Sequence, residues 1–137
     1  MSSPVKTQSV LDSFALIAFL GKERGYEKVG DLLREASATG QPILINEINI
    51  GEVYYMTANE RSVEQAEAFL HLLETLPIRP LSNTFVQVME AARLKARFPI
   101  AYADAFAVAT AVREAAGLVT GDPELRVVAG LVEIHWI

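Results

Sequence analysis

The stretch SVLDSFALIAFLG, residues 9–21, begins with a short apolar strand and continues directly into a helix. The strand ends at Asp12, and residues 13–20 are almost all apolar, which is typical of a helix with little solvent exposure. Gly21 is placed to end that helix. The stretch therefore predicts a strand-to-helix unit with an acidic side chain at its junction.

Short apolar runs alternate with segments of helical periodicity along the rest of the chain. We predict further strands at 43–45, 78–81, 118–120 and 131–137, and helices at 26–38, 47–58, 62–76, 83–98 and 102–116. Asn46 is the expected N-cap of the helix over 47–58, and one face of the helix over 83–98 contains Phe85, Val88, Met89 and Ala92. Five short strands separated by helices favour an α/β fold with a parallel sheet covered on both faces. The 137 residues suffice for a single domain, which we expect to span 1–137.

The composition restricts the class of protein. With 12 Lys+Arg against 17 Asp+Glu, the net charge of −5 argues against passive electrostatic adhesion to nucleic acid. The longest uncharged stretch, 36–46, is shorter than the roughly 18 residues that a membrane span needs. The chain has no Cys, and residues 1–12 lack the apolar core of a signal peptide. We therefore expect a cytoplasmic protein without membrane spans, disulfides or thiolate metal ligands.

Aspartate is scarce in this chain, since only four of the 17 acidic residues are Asp. Asp12 and Asp122 directly follow predicted strands. Asp104 lies near the start of a helix that runs antiparallel to the strand after it, which brings the helix N-terminus to the same edge of the sheet. Because sites in parallel sheets lie at the carboxyl ends of the strands, we expect these three side chains to converge.

A fourth acid is expected from the helix that follows Asn46. Glu52 shares a helical face with Ile48 and Tyr55, and we interpret this face as the inward one. Glu47, in the first turn, is interpreted as a solvated residue favoured by the helix dipole. The predicted site therefore comprises Asp12, Glu52, Asp104 and Asp122.

Several carboxylates in one place require a cation, because like charges within about 4–6 Å disfavour each other's ionisation. Oxygen donors without histidine suit Mg²⁺ or Mn²⁺ best, and such a site points to phosphoryl chemistry with an activated water as the nucleophile. Either Glu52 or Asp122 would accept a proton from that water. Ser13, Thr120 and Asn46 are candidate hydrogen-bonding residues beside the acids.

Four segments carry a resemblance to a known family: VLDSFALIAFL with Asp12, INIGEVYY with Glu52, YADAFAVATA with Asp104 and LVTGDPEL with Asp122. Their order, the 18 positions from Asp104 to Asp122 and the TGD signature make the chain similar to PIN domains, and among them to the VapC-type toxin ribonucleases of toxin–antitoxin pairs. The resemblance spans nearly the whole chain. Two positions depart from the family pattern, since Asn46 stands where a small hydroxyl residue is common and Phe14 where a second small polar residue is frequent.

The resemblance implies a Rossmann-like fold with a five-stranded parallel sheet of order 3-2-1-4-5. It implies an endoribonuclease whose carboxylates bind one or two Mg²⁺ or Mn²⁺ ions and which hydrolyses RNA phosphodiesters. It also implies a homodimer and inhibition by a cognate antitoxin protein. Two basic clusters are candidates for phosphate contacts with RNA: Lys22, Arg24 and Lys28, and Arg93, Lys95 and Arg97.

Other classes of function share this architecture. A PIN-like domain could serve only as a non-catalytic binding module for a partner protein, although the intact acids argue against it. A phosphotransfer receiver domain uses an adjacent acidic pair and a late lysine, which this chain lacks. A haloacid-dehalogenase-type phosphatase has an acid two residues after its first Asp, where Phe14 stands here. His71 and His135 are interpreted as structural or exposed and are assigned no chemistry.

Overall fold

Strands and helices alternate along the part of the chain that a computed structural model describes, residues 8–137. The strands are β1 Ser9–Leu11, β2 Ile43–Asn46, β3 Ile78–Leu81, β4 Gly117–Thr120 and β5 Ile134–Trp136. The helices are α1 Ser13–Leu20, α2 Tyr26–Thr39, α3 Glu47–Glu60, α4 Val63–Thr75, α5 Phe85–Arg97 and α6 Tyr102–Arg113, with a 3₁₀ helix at Pro123–Val128. The expected absence of a signal peptide falls mostly on residues 1–7, outside the described residues. Within 8–137, no helix is both long and apolar enough to cross a membrane.

All five strands run parallel in one sheet of order β3-β2-β1-β4-β5. This confirms the predicted α/β class and the Rossmann-like strand order. Val10 and Leu118 pack in a core with α5 and α6, whereas the next residue in each strand, Leu11 and Val119, packs in a second core with α1, α2 and α4. Because both faces of the sheet are covered, its strand ends are left to build a site.

The adjacent strands β1 and β2 each pass into a helix through a buried capping residue. Asp12 has extended backbone dihedrals (φ −91°, ψ 179°), and its Oδ1 accepts a hydrogen bond from the Ala15 N–H at 2.8 Å. Asn46 (φ −76°, ψ 138°) likewise accepts from the Ile48 N–H at 3.0 Å, which confirms it as an N-cap. The two caps fix two polar side chains at the carboxyl edge of the sheet.

The sixth helix and the last strand are shorter than the sequence predicts. Helix α6 ends at Arg113 rather than at 116, because Ala115 has a φ of 50°, a left-handed conformation that a helix cannot continue. Strand β5 begins at Ile134 rather than at 131. Val132 is buried in the core with α5 and α6 instead of pairing in the sheet.

Helix α5 begins later than expected. Its predicted apolar face is also buried only in part, since Val88 packs on the core and Phe85 does not. The helix starts at Phe85 rather than at 83 because Thr84 and Gln87 form a capping box, each side chain accepting a hydrogen bond from the other's backbone N–H. The core contact is made by Ala91 with Val88, whereas Phe85 is 78% exposed. The first turn of α5 is therefore largely exposed, since Val86 beside Phe85 is 64% exposed as well.

Strand β3 forms one edge of the sheet although Pro80 lies inside it. It pairs with β2 in a register that places Pro80 beside Ile45 and Leu81 beside Asn46. Proline is tolerated there because an edge strand has one side that needs no N–H donor. The predicted strand is therefore present despite its proline.

Candidate functional site

Asp12 is the most deeply buried acid at the carboxyl edge of the sheet. Its side chain is inaccessible to solvent, and only Oδ1 is used in capping α1. Among residues 8–137, Oδ2 has no hydrogen-bond partner. A buried carboxylate oxygen without a donor is costly in a folded protein. Asn49 Oδ1 is the other buried side-chain oxygen in residues 8–137 without a partner.

The environment of Asp12 favours its neutral form. Burial raises the pKa of this carboxyl from 3.8 to about 7. The neighbouring Thr120 hydroxyl and the Ala15 N–H oppose the rise, and repulsion from Asp104 and Asp122 adds to it. The three aspartates therefore lie close enough to influence one another's charge.

Asp104 and Asp122 lie at the same edge and are more accessible than Asp12. Asp104, in the first turn of α6, is half-buried, and burial raises its pKa to about 6, with repulsion from Asp122, Glu52 and Glu124 adding to the effect. Asp122 follows β4 and caps the 3₁₀ helix by accepting the Glu124 N–H at 2.9 Å. The structure thus brings together the three aspartates that the sequence analysis selected.

Glu52 lines a cleft of about 600 Å³ together with Asp104 and Asp122. The prediction that Glu52 lies on the inward face of its helix is wrong. The helical face that it shares with Ile48 and Tyr55 is not buried, since these two residues are 41% and 53% exposed. Of these three residues only Glu52 lines the cleft, and Tyr55 donates a long hydrogen bond of 3.4 Å to Glu52 Oε2.

Asn49 is a supporting residue that the sequence analysis missed. It is fully buried, and its Nδ2 donates to Ser13 Oγ at 3.1 Å and to the carbonyl of Ala103 at 3.1 Å. Ser13 in turn donates to the Asn49 carbonyl at 3.3 Å. These bonds join α1, α3 and the start of α6. They therefore help to position Asp12, which precedes Ser13, and Asp104, which follows Ala103. A polar residue one helical turn before Glu52 was the signal available in the sequence.

The other two predicted supporting residues have different roles. Thr120 is buried, lies beside Asp12, and accepts the Asp122 N–H at 3.0 Å through its hydroxyl. Asn46 donates to Thr110 and exchanges hydrogen bonds with Asn83, so its polar atoms are bound to residues other than the acids. Thr120 therefore belongs to the acidic edge, whereas Asn46 fixes the fold beside it.

Two further charged residues line the cleft. Glu124, at the start of the 3₁₀ helix, raises the pKa of Asp104 by repulsion and was not selected from the sequence. Arg24, from the loop between α1 and α2, lies in the cleft, while Lys22 and Lys28 of the same predicted basic cluster do not line it. The second predicted basic cluster, on α5, lies outside the cleft as well.

The donor chemistry of this edge fits a hard divalent cation. The Asp12 carboxyl is fully buried with the Thr120 hydroxyl beside it, and its repulsion from Asp104 and Asp122 is the kind that a cation removes. In the described part of the chain, however, no three acidic or histidine side chains are already arranged to hold one ion. Asp12, Asp104 and Asp122 are the residues that would hold a cation, and their coordination sphere is not preformed.

A parallel α/β sheet with carboxylates gathered at its carboxyl edge defines the class of this protein. Its sequence matches the PIN domain over residues 9–131. The chain therefore belongs to the PIN domain family. No curated protein matches it significantly in sequence.

Several solved structures share this fold. VapBC2 from Rickettsia felis, bound to a DNA fragment from its promoter, has a TM-score of 0.72 and 17% identity, covering 96% of this chain and 99% of that one. VapC20 from Mycobacterium tuberculosis, a toxin that cleaves the sarcin-ricin loop, has a TM-score of 0.69 and 17% identity, covering 93% and 99%. A toxin–antitoxin complex from Klebsiella pneumoniae has a TM-score of 0.60 and 18% identity, covering 95% and 100%. At this level of identity the likeness establishes the fold.

Proposed function

We propose that this protein is a divalent-metal-dependent endoribonuclease and the toxin of a toxin–antitoxin pair. The observation that carries the proposal is the buried Asp12 carboxylate, held beside Asp104 and Asp122 at the carboxyl edge of a PIN fold. A capping Asn or Ser would stabilise the same junction without placing a charge in the core. Acid chemistry at this junction gives a reason for an Asp where an uncharged cap would cost less stability.

Each acid contributes through its position. Asp12 and Asp104, with pKa values raised to about 7 and about 6, would lose their protons readily when a cation binds between them. Mg²⁺ or Mn²⁺, when bound, would supply Lewis-acid activation of the phosphodiester and of water. Glu52, half-exposed in the cleft, and Asp122 are placed to accept the proton of an attacking water.

An antitoxin protein is the proposed partner of this chain. The support is that structures sharing its fold include VapBC assemblies and a toxin–antitoxin complex. A homodimer is proposed on the same family grounds. RNA as substrate and an antitoxin as partner would place the chain in the cytoplasm.

A cleavage assay tests the proposed activity. The full chain is incubated with total RNA and with Mg²⁺ or Mn²⁺, with and without EDTA. We expect cleavage that EDTA abolishes and that Asp104→Asn reduces by about 100- to 1000-fold, since such acids contribute several kcal/mol to the transition state. Cleavage that survives EDTA or this substitution would contradict a metal-dependent nuclease.

A matched pair of substitutions on α3 separates a catalytic acid from general charge. Glu52→Gln and Glu47→Gln remove one charge each from the same helix, but Glu47 is exposed and does not line the cleft. Only Glu52→Gln is expected to reduce cleavage. Absence of cleavage by the wild-type chain with either metal would favour the non-catalytic binding module instead.

A further inference from the structure

Phe14 is an exposed aromatic residue inside the acidic cleft. It lies two positions after Asp12, at the start of α1, and lines the cleft with Asp104 and Asp122. Its neighbours Ser13, Ala15 and Leu16 are buried, whereas Phe14 is 44% exposed. Six of the thirteen residues that line this cleft are acidic. A large apolar side chain exposed there contributes less to stability than it would in the core.

The ring of Phe14 is held in place by Gly121. A Cβ atom at Gly121 would come within 2.3 Å of Phe14 Cε1, so the ring occupies the space that any larger residue would need. Gly121 lies between Thr120 and Asp122, beside the acids. The ring therefore lies close against Gly121, and 44% of the residue remains exposed to solvent.

Arg24 supplies a positive charge in the same cleft. Within the described part of the chain its guanidinium makes no ion pair or hydrogen bond, although the cleft also contains Glu23, Glu60 and Glu124. An unpaired guanidinium is well suited to contact a phosphate. The cleft therefore combines an aromatic surface and a cation within reach of the carboxylates.

We propose that Phe14 and Arg24 form a subsite for one unpaired nucleotide of single-stranded RNA. The open surface of the Phe14 ring stacks on the base, and Arg24 contacts a phosphate of the same strand. Proteins bind single-stranded RNA by this combination of base stacking and phosphate contact, because unstacked bases present a flat apolar surface. This inference rests on the proposed function and adds the residues of this chain that hold one nucleotide of the substrate.

Binding of short RNA oligomers tests the stacking contact. All proteins carry Asp104→Asn to prevent cleavage, and each oligomer carries an abasic nucleotide at one position in turn. At one position, the abasic change is expected to weaken binding about 5- to 100-fold, the range for loss of one base–aromatic stack. Phe14→Leu should weaken binding of the intact oligomer equally and remove the effect of the abasic nucleotide.

Two further variants separate stacking from folding. Phe14→Tyr keeps the ring and should retain binding, whereas Phe85→Leu removes an exposed ring outside the cleft and should change nothing. Thermal unfolding shows whether each variant is folded. The stacking contact is overturned if Phe14→Leu binds as tightly as its parent, if its effect is independent of the abasic position, or if Phe14→Tyr behaves like Phe14→Leu.

The salt dependence of binding tests the phosphate contact. Loss of one contact to a single strand lowers the slope of log K against log salt by about 0.7. Arg24→Gln is expected to produce this change, and Lys22→Gln, in the same loop but outside the cleft, is not. Equal slopes for the two variants would overturn the role of Arg24.

The two proposals fail in different ways. If wild-type protein cleaves RNA while the Phe14 and Arg24 variants bind normally, the subsite is wrong and the nuclease stands. If the chain neither cleaves nor binds RNA, the nuclease proposal fails and the subsite fails with it.

Discussion

Two neighbouring junctions of the sheet, Asp12 after β1 and Asn46 after β2, share one geometry and differ in chemistry. Both side chains are fully buried, both residues have extended backbone, and both cap a helix. Asn46 has partners for both its oxygen and its nitrogen, in Ile48, Thr110 and Asn83. Asp12, in contrast, has an oxygen without a partner in residues 8–137 and a pKa raised by burial to about 7.

The difference shows what each junction contributes. A satisfied amide stabilises the fold at every pH, because its hydrogen bonds do not depend on ionisation. A buried carboxylate destabilises the metal-free fold whenever it is charged. The Asn46 junction is therefore fully satisfied by hydrogen bonds, whereas the Asp12 junction carries a cost in stability that depends on its charge.

The largest expected effect is on activity at Asp12. Asp12→Asn keeps the cap oxygen and the side-chain shape, but removes the negative charge. Metal-dependent RNA cleavage should fall by about 100- to 1000-fold, which single-turnover rates would measure. Asp31→Asn, an exposed acid on α2 paired with Arg34, serves as the control and should leave the rate unchanged. A fully active Asp12→Asn protein would remove the distinction between the two junctions.

The same substitution is expected to stabilise the metal-free protein. The pKa of Asp12 is 3.8 when unfolded and about 7 when folded, so between these pH values the native state binds more protons. Below pH 3.8 both states are protonated and no stability is lost; as pH rises through about 7 the loss becomes complete. At pH 8, Asp12→Asn should raise the free energy of unfolding by about 4 kcal/mol.

Urea denaturation in EDTA at a series of pH values from about 5 to about 8 would measure this effect, because the folded-state pKa of Asp12, about 7, lies within this interval. Wild-type stability should fall across the interval more steeply than that of Asp12→Asn. Added Mg²⁺ should stabilise the wild-type protein and leave the variant nearly unchanged. Parallel pH profiles for the two proteins would refute the raised pKa.

Asn46→Ala should have a smaller effect of opposite sign. It removes the cap of α3 and leaves Asn83 and Thr110 without their partner, at a cost of about 2–3 kcal/mol. Since no ionisation is involved, the loss should be the same at pH 5 and pH 8. A pH-dependent loss in urea denaturation would contradict the structural assignment of this junction.

Ser13→Ala sharpens the comparison with the smallest change. It removes one hydrogen-bond partner of Asn49 without altering a charge, so the free energy of unfolding should fall by about 1 kcal/mol. If Asn49 positions Asp12 and Asp104 through Ser13, the cleavage rate should also fall modestly while KM stays constant. An unchanged rate would show that Ser13 supports folding alone.

Local patterns in the sequence were sufficient for most of the fold. The run of apolar residues through Ile45 and the caps Asp12 and Asn46 act over a few positions, so the strand-to-helix junctions could be read directly. The end of α6 depends on the left-handed conformation of Ala115, which carries no sequence signal because alanine favours helix. The exposure of Phe85, in the first turn of α5, carries no signal in the spacing either, because Phe85 shares the predicted helical face with Val88.

The positions of the acidic residues were predictable where these residues directly follow strands. Asp12 and Asp122 follow strands, and parallel topology alone brings them together. The prediction that Glu52 lies on a buried face was wrong, because periodicity does not distinguish a helical face that packs on the core from one that is exposed. Asn49 and Glu124 act through contacts with α1 and α6, and such contacts between distant segments cannot be read from local spacing.

Pro80 in the edge strand β3 limits how this protein can associate with others. A strand with a proline in its middle offers an incomplete row of donors, and such edges resist pairing with a strand from another chain. Extension of the sheet from this side, whether by a partner peptide or by a misfolded copy, is therefore disfavoured. Edge-to-edge aggregation is disfavoured on this side for the same reason, and a proposed antitoxin would contact helices and side chains there rather than extend the sheet.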